Sequence, residues 1–439
     1  MTDNSKSDTA SALTTTCQLF GLVESILSSP IGQTAGALRS PARVIIPTIK
    51  YEHGYTAEEL SETSLDLNIE FDDGAKWVAR VSLPLMEEVR ESEISSMRVA
   101  RDLFPIPQFW VSEFDYVSVL FVDRPLAIST TPQNMLLALA DFYIALSKRP
   151  YTGVGSLTTL NDKVIVSQLI TPSRTHGVFP STSEAHIARL DDMIDDLGNT
   201  QVVRDRLNRF CLALEARELV RECEEMKHVG QTFLRHHNLE KNLILTENGL
   251  SVSNWEYACT APWLEAFALP RSLLDSSYAS SNKITAAERT LETIFNEKGA
   301  RRLAAGLIRS RKYHRLHDVY DCPPITVESV YLLRQSFNPQ TERPSSLMSW
   351  RKDILRRYAV PEVRQFVGNV MGLEDLWYTC DVRVGQRLVK ELKHIVDQLD
   401  FASRPHDEAG EALLELAERA DLTIEGLEGR IARIEHDGA

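Results

Sequence analysis

Leu250-Ser251-Val252-Ser253-Asn254-Trp255-Glu256-Tyr257-Ala258-Cys259-Thr260-Ala261-Pro262-Trp263 is the stretch whose reading decides the fold. It follows closely on Leu234-Arg235-His236-His237-Asn238-Leu239-Glu240-Lys241-Asn242. Leu243-Ile244-Leu245, between the two, and Leu250-Ser251-Val252, which opens the later one, are short apolar runs separated by a turn, and they predict a small hairpin. The hairpin sets the two polar stretches side by side.

Upstream, Leu65, Leu67, Ile69 and Phe71 alternate with polar residues, the period of a half-buried strand. Asp72-Asp73-Gly74 supplies a turn, and Trp77-Val78-Ala79-Arg80-Val81 returns as the next strand. Pro84 opens a helical stretch that runs to about Leu103, where Phe104-Pro105-Ile106-Pro107 breaks it. Val44-Ile45-Ile46 and Val117 to Val122 read as further strands. From Pro132 onward the pattern is mainly helical, with helices near 186–197, 203–226, 286–317, 326–336, 348–377 and 381–400. In that half only the 243–252 hairpin looks like strand. The first 38 residues are rich in Ser, Thr and Gly and read as a flexible leader with one short helix near Cys17. A charged helical tail follows Ser403-Arg404-Pro405.

The bulk composition narrows the function classes. A chain of 439 residues with 43% hydrophobic and 25% charged residues can bury a sizeable core. Its formal charge of −14 argues against nucleic acid or an anionic membrane surface as a partner. Six cysteines are scattered without a Cys-x-x-Cys pair, which points to a reducing interior rather than a zinc site or disulfide framework. The start, Met1-Thr2-Asp3-Asn4, has no signal-peptide character, and no apolar run approaches the ~20 residues of a membrane span. The expectation is a cytoplasmic protein.

Three stretches together resemble the aminoglycoside phosphotransferase family, in particular its large fungal branch. They are Phe71 to Val81, similar to that family's "DG-x-x-W-[IV]-A-R" strand pair; Glu91 to Ile94 leading to Ile106-Pro107-Gln108; and Leu250 to Trp263, similar to its "LSVIDWExACTxPW". The resemblance implies an α+β, two-lobed, protein-kinase-like fold. A small N-terminal antiparallel sheet lobe would span 39–124 and a larger, mainly helical lobe 125–402, with the leader at 1–38 and the tail at 403–439.

The resemblance also implies site residues. Arg80 takes the place of the strand cation that reaches nucleotide phosphates, and Glu93 that of its helix partner. The phosphate-covering loop falls between Ile46 and Leu65, where Gly54 is the one glycine, and Glu58, Glu59 and Glu62 follow it. Glycines let backbone N–H groups approach phosphate, whereas acids repel it. Asn238 stands at the general-base aspartate, and an amide cannot take the proton; losing a positioned base typically costs ~10²–10⁴-fold. Asn242 and Asn254 stand at the metal ligands. Asn238 and Asn242 are four residues apart, where the family has five. Anchoring on Asn242 instead puts His237 at the base position, and a histidine can act as a base near neutral pH. His236 resembles the histidine that braces this loop, and Glu256 a helix-starting structural acid.

Mg²⁺ is usually held by one or two carboxylates with phosphate and water, and neither amide supplies a charge. ATP and Mg²⁺ are therefore cofactors that the resemblance implies and the residues oppose. Three readings follow: a pseudoenzyme (pseudokinase) keeping the fold to bind a small molecule, a nucleotide without metal, or a partner protein; a divergent ATP-dependent phosphotransferase acting on a small hydroxylated molecule with His237 or Glu240 as base; and a scaffold docking a partner through residues 406–435.

Overall fold

The structure, a computed structural model, describes residues 31–40, 44–46, 64–82, 87–114, 117–124, 127–128, 130–199, 206–228, 230–247, 249–321 and 324–357. Gly54 and most of its loop, the helix near Cys17, the helices expected beyond residue 357 and the tail lie outside the described residues.

The chain divides into two compact units. The first comprises residues 1–151, 155–178 and 233–260, and the second 152–154, 179–232 and 261–439. The break is thus not a single cut near residue 124. Both polar stretches as far as Thr260, and the hairpin between them, belong with the N-terminal sheet. The physical reason is local: the Ile128 N–H donates to the Leu245 carbonyl at 2.9 Å, fastening the hairpin to the chain leaving the sheet.

Within the first unit a five-stranded antiparallel sheet forms from β1 (Val44–Ile46), β2 (Ser64–Phe71), β3 (Lys76–Ser82), β4 (Phe109–Phe114) and β5 (Val117–Asp123), in the order β1-β2-β3-β5-β4. The β2–β3 turn needs Gly74, whose φ of +81° is a left-handed conformation that favours glycine. Leu67, Ile69 and Phe71 share a buried face with Trp77, Ala79 and Val81, as the alternation predicts. Helix α1 (Ile31–Leu38) covers this face with Ile31 and Ala35, so the C-terminal end of the expected leader is an ordered part of the core. Asp66 and Arg80 are cross-strand partners and point the other way. Helix α2 (Glu87–Leu103) buries Glu93, Met97 and Ala100; Glu87 and Glu88 in its first turn suit the positive end of the helix dipole.

The half expected to be mainly helical holds more strand than its sequence suggests. Within the first unit, β6 (Leu157–Leu160) and β7 (Lys163–Val166) form a hairpin through Asn161 and Asp162, both at positive φ. Segments Leu169–Ile170, Thr175–His176, Gln231–Arg235 and Cys259–Pro262 are also strands. At two to five residues each, they are too short to display a period of two. Strand β4, six residues long, follows directly on the helix break at Phe104-Pro105-Ile106-Pro107, where the sequence reads as a loop.

In the second unit, helices α3 (Thr182–Asn199), α4 (Arg206–Glu222), α5 (Arg311–Tyr320), α6 (Val327–Phe337) and α7 (Leu347–Arg357) supply most of a core centred on Phe210, Tyr313, Leu316 and Trp350. The single helix expected over 286–317 is broken, ending at Glu297 and resuming at Arg301. Gly299, at φ +76°, makes the break. Trp350 donates through Nε1 to the buried Glu215 carboxylate at 2.7 Å, and Arg334 bridges the same carboxylate at 2.6 Å. Among the described residues no helix is long and apolar enough to cross a membrane.

Candidate functional site

Arg80 is the hub of the site. Its Nε and Nη2 donate to the two oxygens of Asp66, both at 2.9 Å, a two-pronged grip fixed by the β2–β3 register. Its Nη1 donates to Glu93 Oε1 at 2.7 Å and to Asn254 Oδ1 at 3.0 Å. Four of the five guanidinium N–H groups are thereby engaged. A third carboxylate, Glu256, stands 3.8 Å from Nη1. Burial alone would lower the Arg80 pKa, but Glu93 and Asp66 outweigh it and hold the guanidinium well above its ordinary range. Glu93 is fully buried, and burial pushes its carboxyl up to about 7 against the pull of Arg80. The neighbouring Glu256 and Asp66 charges push the same way, while the Trp255 N–H that Glu93 accepts at 3.2 Å lowers it.

The second polar stretch is organised around His236. Its Nε2–H donates to the Ser253 carbonyl at 2.9 Å, and its Nδ1 accepts the Asn238 N–H at 3.2 Å. These two partners fix a neutral ring with the proton on Nε2. Burial drives its pKa down to about 4. The ring stands edge-on to Trp255, with centroids 4.9 Å apart. Trp255 is itself buried and donates from Nε1 to the Val252 carbonyl at 3.1 Å. His236 thus braces the loop, joining its two polar stretches.

Both amides at the expected metal positions are committed to the protein. Asn242 donates from Nδ2 to the Asn238 carbonyl at 2.7 Å, closing the short turn Leu239–Lys241. Asn254 gives its Oδ1 to Arg80 and adopts φ +54°, a conformation that asparagine tolerates better than most residues. Among the described residues no group of three or more His, Cys, Asp or Glu could hold a metal ion. The donor set is one neutral oxygen already hydrogen-bonded to Arg80 and one neutral amide whose Nδ2 is spent on the backbone; with no carboxylate between them, these residues do not fit Mg²⁺.

Of the residues singled out from sequence, Arg80, Glu93 and Asn254 meet directly. Asn238 and Asn242 are tied to one another and to His236, while Gly54 lies outside the described residues. His237 packs edge-on to Tyr257, centroids 5.8 Å apart. Glu256 departs from expectation. No helix starts there, and it lies in a loop beside Arg80. Asp66 was missed. The signal was present, because the Asp72-Asp73-Gly74 turn sets a register that places Asp66 opposite Arg80.

No family model matches the chain, and no curated protein matches it. Solved structures do resemble it at low identity. A protein assigned as a fructosamine-3-kinase from Thermobifida fusca is 13% identical with a TM-score of 0.42, over 69% of this chain and 97% of that one. The streptomycin–ATP–APH(2″)-IIa ternary complex is 11% identical with a TM-score of 0.40, over 74% and 98%. An ethanolamine kinase from Plasmodium vivax is 12% identical with a TM-score of 0.37, over 70% and 84%. The chain is similar to solved phosphotransferases and small-molecule kinases, and likeness at this level fixes neither substrate nor activity.

Proposed function

We propose that this chain is a pseudoenzyme: a phosphotransferase-like protein that binds a small molecule or a partner protein without transferring phosphate. The observation that carries this reading is the bond from Arg80 to Asn254 at 3.0 Å. It ties the residue at the metal position to the residue at the phosphate position, and neither waits for a ligand. The charge balance supports it. One guanidinium faces Asp66, Glu93 and Glu256, and a polyphosphate entering beside them meets like charge. Any nucleotide bound here is bound without a metal. Cys211, Cys223 and Cys259 are free thiols, which supports a reducing, cytoplasmic setting.

Calorimetric titration with ATP, with and without Mg²⁺, tests the proposal. The expected result is nucleotide affinity that Mg²⁺ leaves unchanged, with no ADP released in the presence of hydroxylated acceptors. Mg²⁺-dependent binding with acceptor-stimulated ADP release overturns it and leaves the divergent phosphotransferase, with His237 or Glu240 as base, in its place. Restoring both acids, Asn238→Asp with Asn254→Asp, should raise Mg²⁺–ATP affinity, because it returns two carboxylates to the site.

A further inference from the structure

We infer that Asp66 sets the ligand selectivity of this site: it is an internal anion seated on the Arg80 fork, and it excludes phosphate and carboxylate ligands from a place otherwise built to take them. The inference rests on the reading of the site as a binding site. A guanidinium presents a planar two-pronged edge that matches a carboxylate or a phosphate equally well. In this chain the Nε–Nη2 edge carries both oxygens of Asp66 at 2.9 Å, the geometry an incoming oxyanion would use. The remaining prong, Nη1, is held by Glu93 and Asn254. Arg80 is therefore kept in place even when its outer edge is released.

Exposure separates the two carboxylates. The Glu93 side chain is 3% exposed and that of Asp66 is 32% exposed. Glu93 is a structural partner that no solute can replace. Asp66 stands at the solvent side of the same guanidinium, where an anion from solution competes with it directly. Competition favours the internal carboxylate, because its strand already fixes its position and an external ligand must give up its freedom to bind. Removing the Asp66 charge should therefore convert a closed fork into an open anion site without orphaning Arg80, which keeps its bonds to Glu93 and Asn254 and has Glu256 3.8 Å away.

Titration of the full chain with inorganic pyrophosphate, followed by calorimetry at low ionic strength, tests this. Asp66→Ala should bind pyrophosphate at least ~10-fold more tightly than the wild type, the scale of one charge-assisted hydrogen bond. The gain should vanish in Asp66→Ala combined with Arg80→Gln. Equal affinity in wild type and Asp66→Ala overturns the inference, and so does a gain that survives Arg80→Gln. If Asp66→Ala does not fold, Asp66→Ser, which leaves only a neutral hydroxyl, gives the same comparison. A flat pyrophosphate series leaves the pseudoenzyme reading standing. Acceptor-stimulated ADP release by the wild type overturns that reading and leaves the pyrophosphate comparison to decide on Asp66.

Discussion

Two buried groups of the site titrate in opposite senses. His236 is held near 4, below its ordinary 6.5, so its contribution to stability is complete above pH 6.5 and is lost as pH falls towards 4. Glu93 is raised from 4.5 to about 7, so the folded state holds its proton more tightly, and its contribution grows as pH falls from 7 to 4.5. The two contributions run in opposite directions across the shared window. Urea midpoints between pH 4.5 and 6.5 should separate them. Glu93→Gln should lose stability steeply as pH falls, and His236→Gln should gain it. If both variants track the wild type in parallel, neither group is the titrating one. At this scale much of the site was legible. His236 does brace the loop, and Arg80 does pair with Glu93. Less apparent was the company each residue keeps: a strand pattern says which face Asp66 takes, and the register set by the turn must be followed through to find Arg80 opposite it.

Elements were legible where they were long. The β2–β3 hairpin and α2 announce themselves by period and turn chemistry, whereas the short strands after residue 150 are fixed by contacts distant in sequence. Gly155 illustrates such a contact. A Cβ there would lie 2.0 Å from the Ser167 carbonyl oxygen, and a backbone atom cannot swing aside. Gly155 also exchanges hydrogen bonds with Thr260, receiving the Thr260 N–H at 2.7 Å on its carbonyl. Gly155→Ala should therefore cost about 2–3 kcal/mol by denaturant unfolding. Gly177→Ala, with open space around the added methyl, should stay within about 0.5 kcal/mol of wild type. Equal, small effects at the two positions would mean that the backbone at Gly155 gives way and that its close approach to Ser167 carries no cost. The loop after β-strand Gly249–Val252 was readable in composition but not in conformation. Asn254 and Tyr257 both take positive φ, which turns the chain sharply and leaves Glu256 beside Arg80 rather than at a helix start.

For the molecule as a whole, the α+β class was legible in the order of its elements, and the division into units was not. The hairpin at 243–252 sits late in the chain yet belongs with the early sheet, a pairing that local sequence cannot encode. The formal charge of −14 carries its own prediction. At physiological ionic strength the chain should pass unretained through immobilised double-stranded DNA and should not sediment with anionic lipid vesicles. Salt-sensitive retention on either would locate a basic surface that the net charge conceals. The buried ring pair of His236 and Trp255 has a spectroscopic consequence. A protonated imidazole quenches indole emission far better than a neutral one, so Trp255 is a built-in optical gauge of the proton on His236. Of the six tryptophans, it is the one a Trp255→Phe difference spectrum isolates, and that difference signal should dim as pH falls through about 4. The loop that His236 braces can thus be watched by light.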